Sequence, residues 1–405
     1  MLETVFKNPD FWRLVSIPVV AGLVGWWTNW LAVKLTFQPL EFIGLRPIFG
    51  WQGIIPSKAR KMASTFVDST MSRLGSLPEL FEQMEPEALA QQILRYAEPR
   101  MDEYTDAVML ERNAVLWENL PGLVKEGVYE RSRQSLRRQV GPLVEEIGEQ
   151  IEDLLDFKHM IVSRLVEDKA LLNRLFLESG AREFRFIVRS GLYFGFLFGL
   201  VQLAVWWAYG RGWTLPVFGL LVGWATNWIA LNLIFRPLHP VALGPWTLQG
   251  LFLRRQQEVA AVWCRLVTRE ILTVQHLVHS LMTGPRSERA REMVRRHLKP
   301  LVESSVGPLA QLAVGTEGYA RLRQAVGELA VEVSEAPFAD VGFNEERAKV
   351  VEDLLRERME SLPPDEFQDL LRPCFQEDEL KLILLGAALG LLAGLGQLFF
   401  VFGAA

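Results

Sequence analysis

One apolar stretch occurs twice in this 405-residue chain, and a Thr-Asn pair lies inside both copies. The first copy reads Gly-Trp-Trp-Thr-Asn-Trp-Leu-Ala over 25–32 and continues to Phe-Gln-Pro at 37–39. The second reads Gly-Trp-Ala-Thr-Asn-Trp-Ile-Ala over 223–230 and continues to Phe-Arg-Pro at 235–237. About 20 apolar residues cross a bilayer as a helix, and the residue before a proline disfavours helix. Each copy therefore predicts a membrane span that ends at an X-Pro step.

Four apolar segments have the length of a span, at about 11–38, 184–208, 213–236 and 380–402. The regions enclosed by each pair of spans, 57–180 and 254–378, repeat apolar residues at three- and four-residue steps, which is typical of amphipathic helices. We therefore predict an all-α integral membrane protein with four transmembrane helices, in which each pair of spans encloses a large helical extramembrane domain. The apolar, Gly- and Pro-rich segments 39–56 and 237–253 are expected to be irregular and to lie at the membrane interface.

The sequence of the first half recurs in the second. Asn29 and Pro39 match Asn227 and Pro237 at one offset of 198 residues. A second set matches at an offset of 195 residues, in which Gly191, Gly195, Gly199 and Gln202 correspond to Gly386, Gly390, Gly394 and Gln397. We expect two repeats, 1–209 and 213–405. Because each contains an even number of spans, the two repeats should be parallel and related by an axis along the membrane normal.

Three motifs together resemble the membrane proteins grouped as domain of unknown function 445, the YheB and YjiN-like proteins. They are the G-x-x-TNW-x-A … F-x-P opening of each half, the G-I-I-P-x-K-x-R-x-x-A continuation at 53–63, and the glycine-spaced closing spans. The end of the second half, over 362–379, is also similar. The resemblance applies once to each half, and it departs at Leu253, which replaces Pro56 of the first copy. It implies a bacterial-type inner (plasma) membrane protein with helical soluble regions, and it implies no activity.

The two Thr-Asn pairs, Thr28-Asn29 and Thr226-Asn227, are the first candidate site. Counting back from Phe37 at 1.5 Å per residue places Asn29 roughly 12 Å below the surface of the bilayer. An unpaired amide at that depth costs on the order of 1–3 kcal/mol, so each asparagine should have a hydrogen-bond partner. Two interpretations stay open. The asparagines fix helix packing, for instance by bonding to each other across the pseudo-twofold axis, or they line a cavity for lipid or solute.

Glycine recurs at every fourth residue of both closing spans, as Gly191, Gly195 and Gly199 and as Gly386, Gly390 and Gly394. Such a face lets another helix approach closely. Each closing span is expected to pack this face on the motif-bearing span of its own half, where Gly25 and Gly223 belong to small-residue pairs. Replacing Gly195 by Leu should then disturb assembly. Gln202 and Gln397 lie deeper and are not predicted to pair with the asparagines.

Basic residues follow the segment after each motif, at Lys58, Arg60 and Lys61 and at Arg254 and Arg255. They could bind anionic lipid headgroups, each worth about 1 kcal/mol, or act as topology determinants, and these interpretations are compatible. Lys and Arg are concentrated at the domain end of the spans. The positive-inside rule then places the helical domains in the cytoplasm and both termini on the opposite side.

No catalytic signature stands out: there is no nucleophile–base pair, Gly-rich phosphate loop or metal-ligand spacing. We expect no cofactor and no metal, and the net charge of −5 gives no reason to expect nucleic acid. The favoured function is binding without catalysis, in lipid handling, membrane tethering or scaffolding. Membrane lipids, a protein partner or a second copy of the chain are the expected partners. The alternative is a transporter or channel for a small molecule or lipid, although the span interiors lack Asp, Glu and His.

Overall fold

The computed structural model describes residues 9–45, 49–244, 246–305, 307–376, 379–400 and 403. The first half consists of α1 (Pro9–Phe37), β1 (Ile43–Leu45), β2 (Phe49–Trp51), α2 (Ile54–Ser57), α3 (Ala59–Leu74), α4 (Leu77–Gln83), α5 (Pro86–Ala97), a 3-10 turn (Glu98–Arg100), α6 (Met101–Glu118), α7 (Gly122–Glu149), α8 (Ile151–Leu154), α9 (Phe157–Glu167), α10 (Lys169–Ser179) and α11 (Ala181–Tyr209). The second half consists of α12 (Thr214–Phe235), β3 (Val241–Leu243), β4 (Trp246–Leu248), α13 (Leu251–Arg254), α14 (Gln256–Glu270), α15 (Val274–Thr283), α16 (Ser287–Ser305), α17 (Gly307–Glu332), a 3-10 turn (Ala336–Phe338), α18 (Val341–Ser361), α19 (Pro364–Gln376) and α20 (Glu379–Phe400).

The four predicted spans are present as α1, α11, α12 and α20, and each is long and apolar enough to cross a membrane. Local signals set their ends. Both motif-bearing helices, α1 and α12, end just before an X-Pro bond, as the sequence predicts. Between α11 and α12 the chain turns at Gly210, whose φ of +53° is a left-handed conformation that glycine adopts without steric cost. The all-α class expected from the sequence is therefore confirmed.

The two segments that follow the motifs are more regular than their composition predicts. Each contains a small antiparallel hairpin, with Gly44 opposite Gly50 in the first and Ala242 opposite Thr247 in the second. Three-residue strands are too short to show the alternation that identifies a strand from sequence. The basic residue Arg46 of the first segment lies outside the described residues.

The chain divides into two compact units, and each unit contains residues from both halves. The first, which we call the membrane unit, comprises Met1–Thr70, Leu165–Trp263 and Arg358–Ala405. The second, which we call the helical unit, comprises Met71–Arg164 and Cys264–Glu357. The division therefore differs from the two sequence domains 57–180 and 254–378. Their inner parts pack together in one unit, whereas their outer parts pack with the spans.

In the membrane unit, α1 packs along α11, and α12 packs along α20. The shorter helices that belong to this unit contact its other helices through specific side chains. The rings of Phe66 and Trp263 lie 5.2 Å apart, and Gln256 donates hydrogen bonds to the carbonyls of Met359 and Leu362, both at 2.9 Å. These contacts join the outer helices to one another within the membrane unit.

In the helical unit, α7 packs on α5 and α16, and α17 packs on α16 and α6, so helices from both halves pack together. The core includes Trp117, which is 2% exposed. Its indole nitrogen donates to Asp106 at 2.9 Å, and the hydroxyl of Tyr129 donates to the same carboxylate oxygen at 2.6 Å. The buried polar groups around this tryptophan are therefore satisfied by one acceptor.

Candidate functional site

Each asparagine of the repeated motif bonds to the closing span of its own half. The side-chain amide of Asn29 donates to the carbonyl of Ile187 at 2.8 Å, and that of Asn227 donates to the carbonyl of Leu382 at 2.9 Å. Both asparagines are buried. The suggestion that they bond to each other is therefore wrong. A backbone carbonyl on the adjacent helix lies within reach and accepts from the amide nitrogen without a second side chain. The amide oxygen of Asn29 is buried and has no partner among the described residues.

The threonines of the motif bond within their own helices. The hydroxyl of Thr28 donates to the carbonyl of Gly25 at 3.2 Å, and that of Thr226 donates to the carbonyl of Gly223 at 3.3 Å. Both threonines are fully buried. Because each hydroxyl is satisfied three residues back, the threonine presents only its methyl group and Cβ to neighbouring helices.

Glycine permits the closest contacts between spans. A Cβ at Gly25 would lie 2.3 Å from the carbonyl oxygen of Gly191, and one at Gly223 would lie 2.2 Å from that of Gly386. Similar overlaps, with a nearest atom between 2.1 and 2.6 Å away, would occur at every glycine of the predicted faces: Gly191, Gly195, Gly199, Gly386, Gly390 and Gly394. Ordinary contacts of a Cβ are 3.4 Å or longer. The glycine faces thus lie directly against α1 and α12, and the asparagine bonds cross the same two contacts.

Two further amides, which no sequence motif singles out, bond to the last residue of each motif-bearing helix. Asn173 donates to the carbonyl of Phe37 at 2.6 Å. With its amide oriented so that both of its polar atoms are satisfied, Gln368 donates to the carbonyl of Phe235 at 2.8 Å. The two residues are 195 apart, the offset of the closing spans. A comparison of the halves by offset could have found them, although the residue types differ.

Gln202 and Gln397 are also buried, with 3% and 7% of their surfaces exposed. Within the described part of the chain, the side-chain nitrogen of each has no hydrogen-bond partner. Neither glutamine bonds to a motif asparagine, since the asparagine amides bond to Ile187 and Leu382. The structure places both glutamines in buried positions on the closing spans.

The basic residues expected to meet lipid headgroups differ in their environments. Arg60, Lys61 and Arg254 are exposed, and Lys58 is half-buried. Arg255 instead forms two hydrogen bonds, of 2.7 and 2.8 Å, with the carboxylate of Glu183, which is 4% exposed. A guanidinium held in this way neutralises the buried carboxylate, and its donors on this side are already used. The expectation that Arg255 binds a lipid headgroup therefore does not fit its position.

The helical unit contains an elongated apolar cavity of about 210 Å³. One wall is a stripe along α7 in which lining residues recur every three or four positions, from Val128 through Leu136 and Val140 to Ile147. Helices α5, α6, α15, α16 and α17 supply the other walls. The sequence periodicity predicted an inward-facing stripe on α7, but it gave no sign that the facing helices would leave a space.

The few polar groups on the cavity wall are uncharged. Burial raises the pKa of Tyr104, and a hydrogen bond with Tyr96 raises it further, so this tyrosine stays protonated. The hydroxyls of Thr105 and Ser334 each donate to a carbonyl of their own chain segment at 2.7 Å. The hydroxyl oxygen of Ser305 is buried and has no partner among the described residues. Such a wall favours an uncharged, mainly hydrocarbon guest.

The described residues contain no group of three or more His, Cys, Asp or Glu side chains placed to hold a metal ion. Of the two cysteines, Cys264 is a buried thiol. A buried cysteine of this kind behaves as a small apolar side chain.

The four apolar helices and the close packing between them define an α-helical membrane protein. In sequence the chain is similar to a UPF0754 membrane protein of Shouchella clausii, at 31% identity over 25% of this chain and 30% of that protein. It is also similar to UPF0754 membrane proteins of a Nostoc species, at 28% identity over 36% of this chain and 30% of the relative, and of Microcystis aeruginosa, at 31% identity over 18% of each. The matched region spans about 30% of the length of the first two relatives.

No family model matches the chain, and no solved structure matches it. The relatives support membrane localisation and a relationship to a family of membrane proteins. The more specific family resemblance drawn from the motifs, and the tandem copies that it implies, stay predictions.

Proposed function

We propose that this protein is a membrane-anchored lipid-handling protein, in which the helical unit binds an apolar ligand and the spans hold that unit at the membrane. The observation that supports this most strongly is the cavity of about 210 Å³ with its apolar wall. The proposed action is binding, without catalysis and without a cofactor. Membrane lipids are the proposed source of the ligand.

The apolar wall of this space favours an occupant. Protein interiors are close-packed, and apolar surface left without contacts is unfavourable. Without a guest, the wall of this space leaves such surface uncovered. A guest that covers this surface would restore the missing contacts. A space of this size is therefore easier to explain as a binding site than as a packing fault.

We further propose that the chain is built from two parallel copies of one unit, with the helical regions in the cytoplasm of a bacterial-type cell. Support for the duplication comes from contacts that recur at equivalent positions. The Asn29 and Asn227 bonds are one such pair, and the close approaches of Gly25 and Gly223 are another. Support for the orientation comes from the Lys and Arg residues near the span ends.

The binding proposal can be tested by photolabelling the full-length protein in lipid nanodiscs. The probe is a hexadecane that bears a diazirine at the middle of its chain, and labelled peptides are mapped by mass spectrometry. We expect labelling of α7 and α16. Val140→Trp should reduce it, because Val140 lines the cavity and is 3% exposed. Val115→Trp is the matched control, because Val115 is 76% exposed and does not line the cavity.

The thermal midpoint of each variant separates blocked binding from misfolding. A side chain that fills a real cavity should leave the midpoint unchanged or raise it. Equal labelling of the two tryptophan variants, or labelling confined to the spans, would count against lipid binding and favour scaffolding. Flux of a small solute through liposomes that contain the wild-type protein would instead support the alternative function, a transporter or channel.

A further inference from the structure

The shape of the cavity limits the number of hydrocarbon chains that it can hold. Its lining residues on α7 run from Val128 to Ile147, which corresponds to about 28 Å of helix. Its volume of about 210 Å³ exceeds the roughly 150 Å³ of a dry cavity that accepts one benzene, but is below the roughly 300–1,000 Å³ of sites for drug-sized ligands. On the same scale as the benzene cavity, this space holds about eight carbon atoms of one alkyl chain, and the rest of a longer chain extends out through its open side.

The wall also limits the charge of the guest. Among the lining residues of the described chain there is no Lys, Arg, His, Asp or Glu. A carboxylate or ammonium group buried against this wall would lose its hydration without gaining a partner, and that cost is prohibitive. The part of the ligand inside the cavity must therefore be neutral.

Ser305 is a wall residue whose hydroxyl is available for a hydrogen bond with a guest. Ser305 is the last residue of α16 and is 2% exposed, and its hydroxyl oxygen has no partner among the described residues. The neighbouring Ser304 provides a contrast, since its hydroxyl donates to the carbonyl of Leu301 at 3.3 Å. A buried hydroxyl without a partner is costly, and a ligand oxygen at this position would remove the cost.

Building on the proposed lipid-binding function, we propose that the ligand is an uncharged single-chain lipid with one hydrogen-bonding oxygen, of the fatty alcohol or fatty ester class, and that this oxygen bonds to Ser305. The alkyl chain extends along the stripe on α7. Ser305 thus serves as the specificity-determining residue of the cavity. An ionised carboxylate cannot take the place of the neutral oxygen at Ser305, so an ionised fatty acid binds more weakly than the alcohol.

The test uses full-length protein in nanodiscs and three photolabelling probes, each a mid-chain diazirine derivative of hexadecan-1-ol, hexadecane or hexadecanoic acid at pH 8. Saturation of labelling at the cavity gives an apparent Kd for each probe. Ser305→Ala removes the hydroxyl with little change in volume. It should weaken the alcohol by about 2- to 12-fold, the factor expected for one hydrogen bond, and should leave hexadecane unchanged. Ser304→Ala should leave both unchanged, and the ionised acid should label the cavity least.

The outcomes separate this inference from the function on which it rests. If no probe labels the cavity, the lipid-binding function itself fails. If hexadecane labels the cavity but Ser305→Ala binds the alcohol as tightly as the wild type does, only the role of Ser305 is overturned. Labelling by the ionised acid as strong as that by the alcohol would overturn the requirement for a neutral ligand. Thermal midpoints of both alanine variants establish that any loss of binding is not a loss of folding.

Discussion

Substituting alanine at Gly390 tests whether the glycine faces hold the spans together. A Cβ at this position would lie 2.1 Å from the carbonyl oxygen of Gly219, whereas ordinary contacts begin at 3.4 Å. The two helices would have to separate by about 1.3 Å at this point. If α20 moved as a rigid body, the Asn227 bond to Leu382 would lengthen from 2.9 to about 4.2 Å and break. Overpacking costs about 1–3 kcal/mol, and a lost interhelical hydrogen bond in a membrane costs about 0.6–1.7 kcal/mol. We therefore expect Gly390→Ala to destabilise the protein by about 2–4 kcal/mol.

Gly396 on the same helix provides the matched control. A Cβ there would meet only a ring carbon of Phe400, at 4.0 Å. Because alanine is the better helix former, Gly396→Ala should be neutral or stabilising by up to about 1 kcal/mol. The assay is unfolding of the purified protein by sodium dodecyl sulfate in mixed micelles, followed by circular dichroism. If the two variants unfold within about 0.5 kcal/mol of each other, the close approach does not set the stability of the spans, and the reasoning fails.

Three further predictions use the same unfolding assay. Asn29→Ala should destabilise the protein by about 0.6–2 kcal/mol, because it removes a hydrogen bond between helices. Asn232→Ala should destabilise it less, because that amide bonds to a carbonyl of its own helix. Equal losses of stability would refute the idea that the Asn29 bond holds the two spans together. Arg255→Met leaves the buried carboxylate of Glu183 unpaired and should destabilise the protein by about 3 kcal/mol. Arg254 is exposed, so Arg254→Met should stay within about 0.5 kcal/mol of the wild type. Similar stabilities of the two variants would show that the Arg255–Glu183 ion pair is unimportant. Burial lowers the pKa of His276 below its usual 6.5, so as the pH falls the unfolded chain protonates this imidazole before the folded protein does, and stability falls below about pH 6.5. His276→Gln should flatten that part of the plot of stability against pH. An unchanged plot would contradict the lowered pKa of His276.

Much of the architecture could be predicted because it depends on local composition. A run of about 20 apolar residues must satisfy its backbone internally in a bilayer, so it forms a helix wherever it is placed. The X-Pro steps after Phe37 and Phe235 mark the ends of two helices for equally local reasons. The every-fourth-residue spacing of glycine likewise identified the face of each closing span on which another helix can pack.

Other features depend on residues that are distant in the sequence. The partner of Asn29 is a carbonyl 158 positions away, and that of Asn173 is a carbonyl 136 positions away. A backbone acceptor has no residue-type signature, so no motif could have identified it. The Arg255–Glu183 pair was missed for a related reason. A basic residue near a span end looks the same in sequence whether it meets a headgroup or a buried carboxylate.

The sequence by itself determined that this chain has four helices long and apolar enough to cross a membrane, because hydrophobicity and helix-ending signals are local properties of the chain. Only the tertiary structure decided that helical segments from both halves pack into one unit and leave an apolar space beside Val140 and Ser305. A cavity is a difference between the volume that helices enclose and the volume that their side chains fill. That difference depends on the positions of several helices at once, so the periodicity of any one helix could not reveal it.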